Sequence, residues 1–150
     1  MTTETDLIKL YSQRILALAA DIPLTDRLEA PQASIRKRAP LCGSTVTVDL
    51  DLEDGVVARF GQDVKACALG QASAALMARN IIGRTRAEVE TGRDQLRAML
   101  KEGAPPPDGP FDGYDVLEPA RDYRNRHASI MLAFDATAEA MAEAEQAACA

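Results

Sequence analysis

The stretch STVTVDLDLEDGVVARFGQDV, residues 44–64, constrains the fold more than any other part of the chain. Val46, Val48, Leu50 and Leu52 alternate with Thr45, Thr47, Asp49 and Asp51. A period of two puts one apolar set on one face of a strand. Glu53-Asp54-Gly55 then supplies turn chemistry, and VVARFGQDV returns as the partner strand. The alternation predicts Thr45 to Leu52 paired antiparallel with Gly55 to Val64, with Val46, Val48 and Leu50 facing the core. A slip of one residue would turn all three to water. Upstream, ASIRKRAP alternates weakly and reads as an edge strand whose Lys and Arg discourage further pairing.

The remaining segments read as helices and loops. DLIKLYSQRILALAA, from Asp6 to Ala20, spaces Leu7, Leu10, Tyr11, Ile15 and Leu18 by threes and fours, with Thr5 or Asp6 available as cap and Pro23 ending the run. CALGQASAALMARNIIG predicts a helix from about Cys67 to Ile82, small enough at Ala68, Ala72, Ser73 and Ala75 for another backbone to approach, with Gly83 after it. TRAEVETGRDQLRAMLKEG predicts a surface helix capped by Thr85, stopped by Gly103 and weakened by Gly92. The prolines of APPPDGPFDGYD predict a loop, and HASIMLAFDATAEAMAEAEQAA a closing helix begun by His127. The expected class is α+β: a small three-stranded antiparallel sheet covered by helices, in a single domain spanning 1–150.

A net charge of −6 offers little to a phosphate backbone, so nucleic acid is not an expected partner. There is no long apolar run and no basic, apolar leader in MTTETDLIKLYSQ, which predicts a chain with no membrane partner that works in the cytoplasm. Dinucleotide-binding, Walker and nucleophile-elbow motifs are absent. Asp49 and Asp51 are expected on the water-facing side of their strand, where solvation accounts for them without acid–base catalysis. No enzymatic turnover is expected.

Chemistry is concentrated in the thiols. Three cysteines are an odd count at spacings that form no disulfide framework, which leaves free thiols or metal ligands. Cys42 precedes the hairpin and Cys67 follows it, and antiparallel strands of similar length return the chain to where it started. Both can therefore lie at one end of the sheet. Cys67 also opens a helix, where the macrodipole favours an anion, and Lys65 acts in the same direction. The competing reading is that both are small buried hydrophobes and that the single histidine, His127, is a cap or surface residue.

The order of these elements resembles the U-type iron-sulfur cluster scaffold family, which includes IscU, SufU and the N-terminal domain of NifU. The resemblance rests on a first helix carrying LY, PLCG ahead of a hairpin, CALGQASAALMA at a helix start, and a closing amphipathic helix. It implies an IscU/SufU-like fold and a scaffold that binds a labile iron-sulfur cluster, iron or zinc. It also implies a cysteine desulfurase and cluster-recipient proteins as partners. Carried over by position, Cys42 matches the family's first ligand and Cys67 the second. Ser44 stands where the family has an aspartate, and NRHASIML contains no third thiol. His127 either takes that cysteine's place or matches the histidine beside it, with Ala128 then replacing the cysteine. The implied ligand set is Cys42, Cys67 and His127; a second copy of the chain is another source for the missing ligand. The alternative is a family member that has lost cluster assembly and serves as a partner-binding or regulatory module. In either case RDYRNR offers charge for steering partners.

Overall fold

The computed structural model describes residues 11–149. Three strands, β1 (Ala33–Arg38), β2 (Thr45–Glu53) and β3 (Val56–Lys65), form an antiparallel sheet in the order β1-β2-β3. The predicted hairpin is present: Leu50 pairs with Phe60 and Val48 with Gln62. Asp54 and Gly55 both take positive φ, 54° and 81°, at the two-residue turn, where Asp-Gly carries the least strain. Val46, Val48 and Leu50 are fully buried, as their alternation requires.

The first described helix, α1 (Gln13–Ala20), is capped by Ser12, whose hydroxyl accepts from the Ile15 N–H, and it buries Ile15 and Leu18. The caps and apolar residues expected at Thr5, Asp6, Leu7 and Leu10 lie outside the described residues, whereas Tyr11, expected on the apolar face of the same helix, is exposed in a turn ahead of the Ser12 cap, where the backbone is not helical. Helix α2 (Ala68–Asn80) has Cys67 at its N-cap and a nearly continuous buried run of Ala, Ser and Leu. Its small side chains let it pack between α1 and the last helix, α4 (Arg124–Cys149), which in turn covers β1 and β2. Helix α3 (Arg86–Glu102) begins with a reciprocal capping box between Thr85 and Glu88 and ends at Gly103 in the left-handed conformation. No helix among the described residues is long and apolar enough to cross a membrane.

Three further features differ from the sequence-based expectation. The closing helix starts at Arg124, so His127 sits in its first turn rather than at its start. The segment expected to be loop is loop only through residues 104–108 and then becomes 3-10 helical turns over Gly109–Asp122. Phe111, Tyr114, Leu117 and Ala120 recur every third residue and all are buried, which is the 3-10 period, and Pro110 near its start loses no needed donor. Tyr114 anchors the segment by donating to the Ser73 carbonyl at 2.6 Å, and burial pushes its hydroxyl pKa up.

The third difference lies on the sheet's polar face. Asp49 is fully buried and Asp51 nearly so, because the segment between α1 and β1 straps across them. Asp49 accepts from Arg27 Nε at 2.5 Å, Ser34 Oγ at 2.6 Å and the Leu28 N–H at 3.1 Å. Asp51 accepts from the Gln32 N–H at 2.8 Å and pairs with Arg59. The donors come from residues distant in sequence, so a strand carboxylate that looks solvated is in fact the anchor of a clasp.

Gly92, which weakens α3 on propensity alone, is where the aromatic cluster closes. A Cβ there would fall 2.9 Å from Phe111 and 3.0 Å from Phe134, whose rings meet edge to face at 5.0 Å. Gly92→Ala is expected to cost about 1–2 kcal/mol, since overpacking outweighs a helix-propensity gain of at most about 1 kcal/mol. Denaturant unfolding checks this: a stabilised variant would mean the rings have room.

Candidate functional site

Strand pairing sets the geometry of the thiol end. Thr45 pairs with Arg38 on one side and Lys65 on the other, so the ends of β1 and β3 and the start of β2 lie side by side. Cys42 sits on the turn joining β1 to β2, held by hydrogen bonds from the Gly43 N–H to the Ala39 carbonyl at 2.9 Å and from the Ala39 N–H to the Ser44 carbonyl at 2.8 Å. Gly43 supplies the positive φ of 71° that this turn needs. Cys67 follows β3 directly. The two thiols therefore occupy one end of the sheet, Cys42 exposed and Cys67 half-buried, both free.

Two serines connect them. Cys42 Sγ lies 3.1 Å from Ser44 Oγ, Ser129 Oγ donates to Ser44 Oγ at 3.2 Å, and Ser129 Oγ lies 3.4 Å from Cys67 Sγ. Both serines are buried. Gly70 makes the connection possible, because a Cβ there would fall 2.5 Å from Ser129 Oγ and push α4 off α2. The Cys42 thiol is held below the ordinary thiol range, first by its hydrogen bond with the Ser44 hydroxyl, then by the Ser44 N–H; Ser129 adds to this and slight burial opposes it. A hydroxyl that accepts from the thiol can rotate to donate to the thiolate, so the anion keeps its partner.

His127 is held differently. Its Nε2 lies 3.1 Å from both the Ala120 and the Arg121 carbonyl oxygens, at the end of the 3-10 segment. Carbonyls only accept, so Nε2 carries the proton and the ring's free lone pair is on Nδ1, the arrangement in which a backbone carbonyl orients an imidazole. Among the described residues, no three His, Cys, Asp or Glu side chains cluster closely enough to hold a metal ion. The structure thus brings Cys42 and Cys67 to one place and holds the His127 ring by its Nε2 against the Ala120 and Arg121 carbonyls, the first of which also accepts from the Tyr123 N–H at 2.9 Å. His127→Ala is accordingly expected to lower stability by about 0.5–1.5 kcal/mol through the loss of the ring's hydrogen bond to these carbonyls. Thermal unfolding beside metal analysis separates that outcome from ligand loss.

Ser129 was not legible as a site residue. It lies 85 positions from Ser44 and 62 from Cys67, and nothing local marks it; its place depends on how α4 crosses α2. Ser44, by contrast, is two residues from Cys42 and was visible as a change of ligand type.

No protein-family model matches the chain. The chain is 26% identical over 132 residues to the iron-sulfur cluster assembly scaffold protein IscU of Thermotoga maritima, covering 88% of this chain and 92% of that protein. Among solved structures, a nitrogen-fixing NifU-like protein (N-terminal) from Brucella abortus is 46% identical, with a TM-score of 0.92 over 94% of this chain and 98% of that one. An iron-sulfur cluster assembly scaffold protein for the SUF system from Fervidobacterium islandicum AW-1 shares the fold at 19% identity, TM-score 0.81, over 89% of this chain and 98% of that one. Helix order, hairpin, the two positioned thiols and these similarities converge: the chain belongs to the U-type iron-sulfur cluster assembly scaffold family of IscU, SufU and NifU N-terminal-like proteins.

Proposed function

We propose that this protein is a carrier of that family, holding iron, zinc or a labile iron-sulfur cluster as cargo on Cys42 and Cys67 and passing it to recipient proteins in the cytoplasm. The observation that carries the reading is the hydrogen-bonded row Cys42–Ser44–Ser129–Cys67, which converges two thiols and two hydroxyls at one end of the sheet. Iron-sulfur clusters normally take four cysteine ligands, so two thiolates leave the cargo coordinated in part by groups from outside. Such a site suits exchange rather than permanent storage. A desulfurase as sulfur donor follows from the family, and the exposed Leu41, 78% accessible beside Cys42, gives a partner an apolar contact next to the thiol.

A second reading is favoured by the absence, among the described residues, of a third His, Cys, Asp or Glu side chain grouped with the two thiols: the chain is then a partner-binding module of the scaffold family that no longer assembles clusters. Metal and acid-labile sulfide analysis of anaerobically purified and reconstituted protein decides between the two. Stoichiometric iron or zinc supports the carrier; none after reconstitution supports the module.

A further inference from the structure

One concavity among the described residues is lined by neither thiol. It has a volume of about 860 Å³ and is framed by the last turns of α3, the end of the 3-10 segment and the first turns of α4. Its inner wall carries the buried apolar side chains Leu100 and Met131. Its rim is cationic: Arg97, Lys101, Arg121 and Arg124 face two acids, Asp122 and Asp135. This is the reverse of the chain as a whole, in which 23 acidic residues outnumber 17 basic ones.

The ion pairs already present sharpen the imbalance. Arg97 is taken up by Asp135 at 3.3 Å and Asp94 at 3.7 Å. Among the described residues, Lys101, Arg121 and Arg124 make no ion pair at all. Only the Asp122 carboxylate remains to offset three cations. Arg121 is also folded back over the end of α3, since a Cβ on Gly103 would lie 3.6 Å from its guanidinium. Three like charges gathered over an apolar wall repel one another, and an anion between them relieves that repulsion.

We propose that this cavity binds a small organic anion: a carboxylate or phosphate group held by Lys101, Arg121 and Arg124, carrying a compact apolar body that rests on Leu100 and Met131. The volume is in the range of small-molecule sites, and the division into apolar wall and charged rim matches a ligand with those two ends. The site is separate from the thiol pair and stands or falls independently of the carrier reading.

Calorimetric titration of the full chain at constant ionic strength tests it with three probes: phenyl phosphate, phenylacetate and inorganic phosphate. At least one aromatic anion is expected to bind saturably, about tenfold or more tighter than inorganic phosphate, and to shift the amide resonances of Gly103 and Ala128. Combined Lys101→Ala, Arg121→Ala and Arg124→Ala, all at exposed positions, is expected to weaken that binding by about tenfold or more, while Arg36→Ala on the sheet edge leaves it unchanged. If the triple variant misfolds, the single Lys101→Glu variant and the amide shifts of the unmodified chain carry the test. Absence of saturable binding, shifts confined to other regions, or undiminished affinity in a folded triple or Lys101→Glu variant overturns the proposal. Equal affinity for inorganic phosphate and both aromatic anions overturns the apolar half of it.

Discussion

Cys42→Ala and Cys67→Ala are each expected to abolish retention of metal and sulfide by anaerobically purified protein. Each removes half of the thiolate set, and the neighbouring hydroxyls cannot replace it, since soft thiolates are the ligands that select iron-sulfur units and zinc. Ser129→Ala is expected to do less, weakening binding by about tenfold, because it orients both thiols without supplying charge. Cys149→Ala, far along α4 in sequence, is the internal control and leaves cargo content intact. Survival of metal in the double variant lacking Cys42 and Cys67 would mean that the thiols are packed side chains and that the function lies elsewhere on the molecule.

Loss of the Asp49 carboxylate is expected to be the most damaging change outside that site. Asp49→Ala leaves the Leu28 N–H, the Ser34 hydroxyl and the Arg27 guanidinium without their shared acceptor. Arg27 is half exposed and finds water, so the cost is set mainly by the buried donors, about 3 kcal/mol in all. In a chain of this size that lowers the unfolding midpoint by roughly 6–10 °C. Gly61→Ala attacks the same clasp from the other side, because a Cβ there would overlap the Asp26 carbonyl oxygen, which is backbone and cannot swing away. An unchanged midpoint in both variants would show that the strap contributes nothing.

The same carboxylate makes stability depend on pH. Burial alone would push the Asp49 carboxyl up, but hydrogen bonds from Arg27, Ser34 and the Leu28 N–H, with the Arg27 charge, outweigh it and hold the group below the usual carboxylate range. A carboxyl held down in the folded state stabilises the fold fully above its unfolded value, about pH 4, and loses that contribution as pH falls through its lower folded value. Unfolding midpoints measured downward from neutral pH are expected to fall in this acid range, and to fall less steeply for Asp49→Asn. Parallel curves would assign the acid sensitivity to other groups.

Periodicity and spacing carried the local architecture. The alternation from Thr45 to Leu52 and the Asp54-Gly55 turn determine a hairpin in one register, since a one-residue slip exposes three aliphatic side chains at once and the two-residue turn fixes the rest. Thr85 with Glu88, and Gly103, determine the two ends of α3, because a cap is a contact between neighbours in sequence. Cys42 before β2 and Cys67 after β3 follow from that hairpin, and with PLCG and the Ala/Ser-rich helix they made the family legible. Even the 3-10 turns were written as a period of three from Phe111 to Ala120, beneath the stronger loop signal of the prolines.

What only the tertiary structure decided is which polar groups meet. Asp49 reads as solvated until residues 24–32 cross the sheet and bring donors to it. His127 reads as a cap or a ligand, and only the fold shows that the last turn of the 3-10 segment presents two carbonyls to its Nε2. Ser129 carries no local mark, yet the crossing of α4 over Gly70 sets it between the two thiols. The physical reason is the same in each case. Apolar pattern and turn chemistry act between near neighbours and repeat with a period that can be read along the chain. A buried polar group takes whichever partner packing delivers, from any distance in sequence, and leaves no period behind.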